Sequence, residues 1–190
     1  MKKLVIFDLD GTLLNTISDL GNACNHALEQ MGFSPHPLSA YNYMVGNGVR
    51  KLMERAEPDA DSVTIDKLLA EFRAYYDDHC TDLTRPYPGI PELLSTLVSH
   101  GVAVAVTSNK YQAAVTKIIN HHFPEIPFVA ALGEVSGRPK KPDPCPEKMG
   151  LGLCLAETDE EIKHEEEADP ELEYHVAVVL ENVAMVECVK

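Results

Sequence analysis

The chain has 190 residues and an apolar share of 45%, which suits one domain of ordinary size with a normal hydrophobic core. Its formal net charge of −14 disfavours nucleic acids and anionic membranes as partners, and no apolar stretch is long enough to cross a bilayer. Five cysteines without paired spacing argue against a disulfide framework or a zinc site, so we expect a cytoplasmic protein with reduced thiols.

The apolar run Leu4–Phe7 at the start of the chain is followed by Asp8, Asp10, Gly11 and Thr12. A run without alternation predicts a strand buried on both faces, as in parallel α/β sheets, which bind ligands at the carboxyl ends of their strands. One carboxylate could attack an electrophile while the other handles protons, with a hard cation nearby. The Thr12 hydroxyl could donate to an oxyanion. The alternative is an Asx turn that closes an ordinary strand.

The segment 15–85 has helical periodicity and no convincing strand. Amphipathic patterns predict helices over about 17–31, 38–44, 49–56 and 65–80. Beyond Pro86-Tyr87-Pro88-Gly89 the pattern predicts, in order, a helix over 90–100, a strand over 102–106, a helix over 113–122 and a strand over 128–132. This order indicates right-handed βαβ units and a parallel sheet.

The strand predicted over 102–106 ends in Thr107, Ser108 and Asn109. In a parallel sheet these residues would project at the same edge as Asp8. The Thr107 hydroxyl, the Ser108 backbone N–H and the Asn109 side chain could together hold phosphoryl oxygens. The alternative is that Ser108 or Asn109 only caps the next helix.

Lys141 precedes Pro142, and a proline holds the residue before it extended, so the lysine side chain would be aimed consistently. A fixed ammonium would shield the repulsion between Asp8 and a phosphoryl group. The alternative is a solvated Lys-Pro loop, and Lys140 is the fallback if the register differs.

Three of these segments resemble the haloacid dehalogenase-like (HAD) phosphohydrolases. Asp8-Leu9-Asp10-Gly11-Thr12 is similar to the first motif of the family (DxDGT), Thr107-Ser108-Asn109-Lys110 to the second, and Lys141-Pro142-Asp143-Pro144 to the third. The resemblance implies an α/β fold with a Rossmann-like parallel sheet core formed by residues 1–14 and 86–190. It also implies an all-helical cap, residues 15–85, inserted into that core.

The resemblance further implies a Mg²⁺-dependent phosphatase that forms an aspartyl-phosphate on a small phosphorylated metabolite. In that mechanism Asp8 is the nucleophile and Asp10 the acid and base, while Thr107 and Lys141 bind the transferring group. Thr12, Ser108 and Asn109 would assist in binding it. We expect a monomer or homodimer without nucleic acid or membrane partners.

The cap segment Gly46-Asn47-Gly48, followed by a helix with Arg50, resembles a segment of phosphoglycolate phosphatases. A glycine-framed turn that opens a helix could offer backbone N–H groups to an anionic substrate. Arg50 could bind a carboxylate through two hydrogen bonds. The alternative is a simple interhelical turn with a solvated Arg50.

The fourth motif of the family, an acidic pair that completes the magnesium site, is poorly matched. A fourth buried strand is predicted over 175–183, and on the EDxxxG form of the motif Glu181 and Asn182 take the acidic positions. The predicted metal ligands are therefore Asp8, Asp10 and, imperfectly, Asn182 or Glu181. Asn182 can offer a carbonyl oxygen but no charge.

The end of the chain leaves two explanations open. Residues 157–173, which are strongly acidic, have the composition of a solvated helix or a disordered segment. The tail is either a degenerate finish of the fold or a sequence altered or truncated after Pro144. A catalytically silent HAD-like protein is therefore the alternative to the phosphatase, and a phosphomutase of the same fold is a third possibility.

Overall fold

The computed structural model of the chain describes residues 3–137, 141, 175–180 and 183–189, and for the last two segments it describes the backbone. Its strands and helices follow one another in an α/β order. In chain order they are β1 (Lys3–Phe7), β2 (Leu14–Asn15), α1 (Ile17–Gln30), a 3₁₀ turn (Leu38–Ala40), α2 (Tyr41–Met44), α3 (Val49–Ala56), α4 (Ser62–His79), β3 (Arg85–Pro86), α5 (Ile90–Ser99), β4 (Val102–Tyr111), α6 (Gln112–His122), β5 (Phe128–Glu134), β6 (His175–Leu180) and β7 (Val183–Val189).

A five-stranded sheet in the order β5-β4-β1-β6-β7 forms the core. Strand β1 lies at its centre, parallel to both neighbours, with Phe7 paired to Val106 of β4 and to Val179 of β6. Its unbroken apolar sequence suits this place, since Ile6 and Phe7 are buried. The carboxyl ends of β1, β4 and β6 therefore meet at one edge of the sheet, and the α/β fold with a parallel core is confirmed.

Strand β7 was not predicted. The apolar run expected as one strand over 175–183 is divided: β6 ends at Leu180, and β7 returns antiparallel to it from Val183. Two residues separate the strands in the chain, which is the spacing of a tight hairpin. The sequence has no glycine to mark a turn here, and Glu181 and Asn182 were matched to a family motif instead.

Helices α1–α4 lie within the segment expected to be all helical, and α1 packs on α4 through apolar faces. Close approach is needed where α1 meets the 3₁₀ turn, because a Cβ at Gly21 would lie 2.7 Å from both Leu38 and Tyr41 side-chain atoms. The Asp61 carboxylate accepts a hydrogen bond from Thr64 N at 2.8 Å and begins α4. Within the part of the chain described, no helix is long and apolar enough to cross a membrane.

A two-stranded ribbon, β2 with β3, joins the sheet to the helices. Leu14 pairs with Pro86 and Asn15 with Arg85, antiparallel, so the chain leaves and re-enters the core side by side. The sequence analysis expected no strand here, and strands of two residues are too short to show a period.

Asp19 of α1 forms hydrogen bonds with the segment that leads from α4 back to the sheet. Its carboxylate accepts hydrogen bonds from Leu83 N at 2.9 and 3.0 Å and from Thr84 N at 2.8 Å, and the residue is 2% exposed. A buried carboxylate with these partners is a structural group, although the sequence analysis gave it no role.

Asp19→Ala is expected to lower the free energy of unfolding by about 2–3 kcal/mol, because it leaves backbone donors without an acceptor. Urea denaturation at pH 7 measures this. Asp66→Ala is the control: Asp66 forms an exposed ion pair with Arg50, and its loss should change stability by no more than about 0.5 kcal/mol. Equal losses in the two variants would contradict the structural role of Asp19.

Candidate active site

The turn after β1 places two carboxylates at the edge of the sheet. Asp8 is 8% exposed, and the chain then folds back so that Leu14 N donates to Leu9 O at 3.1 Å and Gly11 N to Leu14 O at 2.9 Å. Gly11 has φ = 79°, the left-handed region that glycine enters without strain. This local fold explains why a glycine follows Asp10.

Lys141 reaches Asp8 from a position 133 residues later in the chain. Its ammonium forms an ion pair with Asp8 Oδ1 and donates to Thr107 O at 3.0 Å. Lys141 can contact both Asp8 and Thr107 because Phe7 pairs with Val106, so the residues that follow them in the two strands are neighbours. The fallback, Lys140, lies outside the described residues, whereas Lys141 is in place for the expected role.

Asn109 fixes the backbone of Lys141. Its Oδ1 accepts from Lys141 N at 2.9 Å, and its Nδ2 donates to Lys141 O at 3.2 Å. The sequence analysis expected the Asn109 side chain to hold phosphoryl oxygens, and that contact stays a prediction, since the NH2 group has a second hydrogen to donate. The observed role of Asn109 is to position the lysine.

The second motif lies inside a strand instead of following one. β4 continues to Tyr111, which is the N-cap of α6 without a side-chain cap bond, so the alternative that Ser108 or Asn109 caps this helix is wrong. Ser108 Oγ accepts from Lys110 N at 3.1 Å, where the pairing of β4 with β5 is irregular. The backbone therefore leaves regular pairing in the stretch that carries the predicted phosphate contacts.

The surroundings of Asp8 set its electrostatics. Burial raises the pKa of its carboxyl above the usual range, and the positive charge and hydrogen bond of Lys141 act in the opposite direction. The Asp10 carboxylate raises the pKa of Asp8 further. A cation at this site favours the ionised form of Asp8, which is the form that can attack an electrophile.

Asp10 is held by two donors that the sequence analysis did not assign. Thr16 Oγ1 donates to Asp10 Oδ1 at 2.7 Å, and Lys110 Nζ lies 3.2 Å from the same oxygen. Lys110 also donates to Tyr76 OH at 2.8 Å. The sequence feature that could have indicated a buried role for Lys110 is its place directly after Asn109, at the end of an apolar strand.

The Thr12 hydroxyl is buried and has no hydrogen-bond partner among the described residues. Phosphoryl oxygens are acceptors, so a phosphate bound beside Asp8 would supply the partner that this hydroxyl lacks. The position of Thr12 within the turn after β1 agrees with the expected binding role.

The cap turn is built from three successive left-handed residues: φ is 117° at Gly46, 61° at Asn47 and 88° at Gly48. Glycine at both ends and asparagine between them are the residues that accept this conformation most readily. The Arg55 guanidinium braces the turn by donating to Gly46 O at 3.2 Å. The backbone shape is thus specific, while substrate contact by these residues stays a prediction.

Arg50 lies in a pocket of about 340 Å³ between the cap and the end of β5. The pocket is lined by Val49, Arg50, Asp66, Leu69, Ala70, Arg73 and Glu134. Arg50 forms an ion pair with Asp66 of α4. A substrate carboxylate would therefore compete with a protein carboxylate for this guanidinium.

The Asp8 carboxylate and the Asp10 main-chain carbonyl fit a magnesium ion, because Mg²⁺ prefers hard oxygen ligands. A cation there would also relieve the repulsion between the Asp8 and Asp10 carboxylates. Strand β6 ends at Leu180 on the same edge of the sheet. Glu181 and Asn182, the expected remaining ligands, lie outside the described residues. Among the residues that the structure does describe, no three or more histidine, cysteine, aspartate or glutamate side chains form a group that could hold a metal ion.

The chain is similar to known proteins over most of its length. The family model described as haloacid dehalogenase-like hydrolase matches residues 5–160. A phosphoglycolate phosphatase of Neisseria meningitidis is 36% identical over 160 residues, which are 80% of this chain and 68% of that protein. For the phosphoglycolate phosphatase of Neisseria gonorrhoeae the identity is 35%, over 75% of this chain and 62% of that protein. The chain thus spans about two thirds of the length of these curated relatives.

A solved structure extends the likeness to three dimensions. The crystal structure of a protein from Haemophilus somnus, described as a predicted phosphoglycolate phosphatase, superposes with a TM-score of 0.75 at 28% identity, covering 81% of this chain and 72% of that one. The motifs at Asp8, Thr107 and Lys141 fall within the matched family region. The chain therefore belongs to the haloacid dehalogenase-like hydrolases and is similar to the phosphoglycolate phosphatases among them.

Proposed function

We propose that this protein is a Mg²⁺-dependent phosphatase that hydrolyses a small phosphorylated carboxylic acid such as 2-phosphoglycolate. The contact of Lys141 with Asp8 carries the proposal, because it joins the first and third motifs at the sheet edge and favours an ionised nucleophile. The similarity to phosphoglycolate phosphatases supports the choice of substrate.

In the proposed reaction, an Asp8 carboxylate oxygen attacks phosphorus, and the bond between phosphorus and the leaving oxygen breaks. Asp10 donates a proton to that oxygen and then removes one from the water that hydrolyses the aspartyl-phosphate. Lys141 and Thr107 oppose the negative charge of the transferring group. A bound Mg²⁺, with Asp8, the Asp10 main-chain carbonyl and Asn182 or Glu181 as its proposed protein ligands, would supply further neutralisation of the phosphoryl oxygens.

Substrate selection is assigned to the cap. The pocket beside α3 and α4 contains two guanidinium groups, Arg50 and Arg73, and two carboxylates, Asp66 and Glu134. An anionic leaving group would bind there by displacing Asp66 from Arg50. The turn at 46–48 is proposed to add backbone N–H groups. The partner remains a small metabolite, and we propose a cytoplasmic monomer or homodimer without nucleic acid or membrane partners.

Metal removal tests the proposal. Purified protein is expected to release phosphate from 2-phosphoglycolate in Mg²⁺, to lose that activity by at least about 100-fold in EDTA, and to recover it on addition of Mg²⁺. Circular dichroism in both buffers shows whether the fold persists. A folded protein that releases no phosphate above a protein-free blank would contradict the phosphatase and support the catalytically silent alternative.

A further inference from the structure

Lys110 is a buried cation that the reaction as described leaves without a role. Its side chain is only 2% exposed, in β4, and its ammonium lies 3.2 Å from Asp10 Oδ1 and 2.8 Å from Tyr76 OH. An ammonium has three donors and no acceptor, so a buried lysine needs acceptors of this kind. The ammonium thus contacts both Asp10, the proposed acid and base, and Tyr76.

Tyr76 comes from the cap. It lies on α4, is fully buried, and stacks on Phe72 with ring centroids 5.1 Å apart. The Lys110 ammonium is also 4.7 Å from the centre of the Tyr76 ring. A chain of three groups, Tyr76 to Lys110 to Asp10, therefore leads from a cap helix to the proposed acid and base.

The donors act on one oxygen of Asp10. Thr16 Oγ1 and Lys110 Nζ both approach Oδ1, and together they fix the orientation of the carboxylate. With Oδ1 engaged in this way, Oδ2 is the oxygen suited to exchange a proton with the leaving group and with water. Proton transfer requires such geometry, since the two heavy atoms must come within hydrogen-bond distance.

We propose that Lys110 and Tyr76 are positioning residues: the Tyr76 hydroxyl, brought by α4 of the cap, holds the Lys110 ammonium, which orients Asp10 for proton transfer. Asp10 is then fully competent only when α4 is packed against β4, so cap docking and acid–base chemistry are linked by direct contacts. This inference rests on the proposed phosphatase function.

Tyr111 provides a matched control. Its hydroxyl donates to Asp77 Oδ1 at 2.6 Å, so it also joins β4 to α4. Its ring lies 6.4 Å from that of Tyr76, edge to face. Tyr111→Phe removes a tyrosine hydroxyl from the same interface while the Lys110 contacts with Tyr76 and Asp10 stay in place.

The experiment compares two substrates. The leaving alkoxide of 2-phosphoglycolate needs a proton, whereas the phenolate of p-nitrophenyl phosphate leaves with little help. Lys110→Met is expected to lower kcat/KM about 30-fold for the first substrate and less than about 5-fold for the second. The measured quantity is the ratio of kcat/KM for 2-phosphoglycolate to kcat/KM for p-nitrophenyl phosphate. Tyr76→Phe should lower this ratio by about 5-fold and Tyr111→Phe by less than about 2-fold. Lys110→Arg, which keeps the cation, should have a ratio between those of Lys110→Met and wild type.

A second readout does not depend on activity. Free energies of unfolding for Tyr76→Phe, Lys110→Met and the double variant form a cycle, and the two losses should not add, because each substitution breaks the same contact. If Lys110→Met fails to fold, the substrate ratio of Tyr76→Phe decides. An unchanged ratio in an active, folded variant would overturn the inference alone, whereas wild type without Asp8-dependent turnover would overturn the proposed function and the inference together.

Discussion

Asp8→Asn is expected to abolish Mg²⁺-dependent phosphate release, lowering kcat by about 10⁴-fold or more, because the amide cannot form the aspartyl-phosphate. Steady-state turnover of 2-phosphoglycolate measures the loss. Asp59→Asn, at an exposed turn, is the control and should keep wild-type activity when purified in the same way.

The stability of this variant separates lost chemistry from lost fold. Burial raises the folded-state pKa of Asp8 above its unfolded value, so the ionised group costs stability at neutral pH, and this cost disappears as the pH falls below the unfolded value. In metal-free buffer at pH 7, urea denaturation should therefore give Asp8→Asn a free energy of unfolding at least as high as that of wild type. The difference between the two free energies should narrow as the pH falls toward 4. Retention of more than about one hundredth of the turnover would contradict the assignment of Asp8 as nucleophile.

Local sequence patterns predicted the elements well where one face of a helix or strand is buried. Helix α3 has the predicted bounds, 49–56, and β1 is the central strand that an unbroken apolar run indicates. Periodicity reports burial, which is a local consequence of the fold. The strand predicted over 102–106 was too short, because the remaining residues of β4, Thr107 to Tyr111, are mostly polar and the pairing becomes irregular after Thr107.

Contacts between distant residues were predicted only where a family motif supplied them. The meeting of Lys141 with Asp8 was expected from the resemblance, and the structure has it. Lys110 with Tyr76 and Asp19 with Thr84 span 34 and 65 residues, and no local pattern marks either pair. Buried polar groups find partners through the tertiary fold, so their roles become visible only when the elements are assembled.

Asn109 shows a second limit of sequence analysis. An asparagine at the sheet edge can bind a phosphoryl oxygen or satisfy a neighbouring main chain, because its amide is both donor and acceptor. The sequence places it at the correct edge for either role. The structure shows the second role, since the N–H and the C=O of Lys141 are both bound by this amide. Contact of the Asn109 side chain with a phosphoryl oxygen stays a prediction, because its NH2 group has a second hydrogen to donate.

Lys141→Met should have the second-largest effect, a loss in kcat of about 10²–10³-fold, because it removes a charge that faces the transferring phosphoryl group. Lys67→Met, at an exposed position of α4, is the control and should leave kcat unchanged. Both rates are measured with 2-phosphoglycolate in saturating Mg²⁺. A loss of less than about 5-fold would contradict the assigned role of Lys141.

The pH dependence gives the same substitution a specific signature. Lys141 lowers the pKa of Asp8 through its charge and hydrogen bond, while burial and Asp10 raise it. In Lys141→Met both lowering influences of the lysine are lost and only the weaker hydrogen bond from the Leu9 backbone still opposes burial and Asp10. The pKa of Asp8 therefore rises, and the acidic limb of kcat/KM moves to higher pH. The ionised nucleophile also becomes more costly in the folded state, so the variant should lose stability at pH 7 and approach wild type below about pH 4. A lower rate with an unmoved acidic limb would place Lys141 on the phosphoryl group alone and not on Asp8.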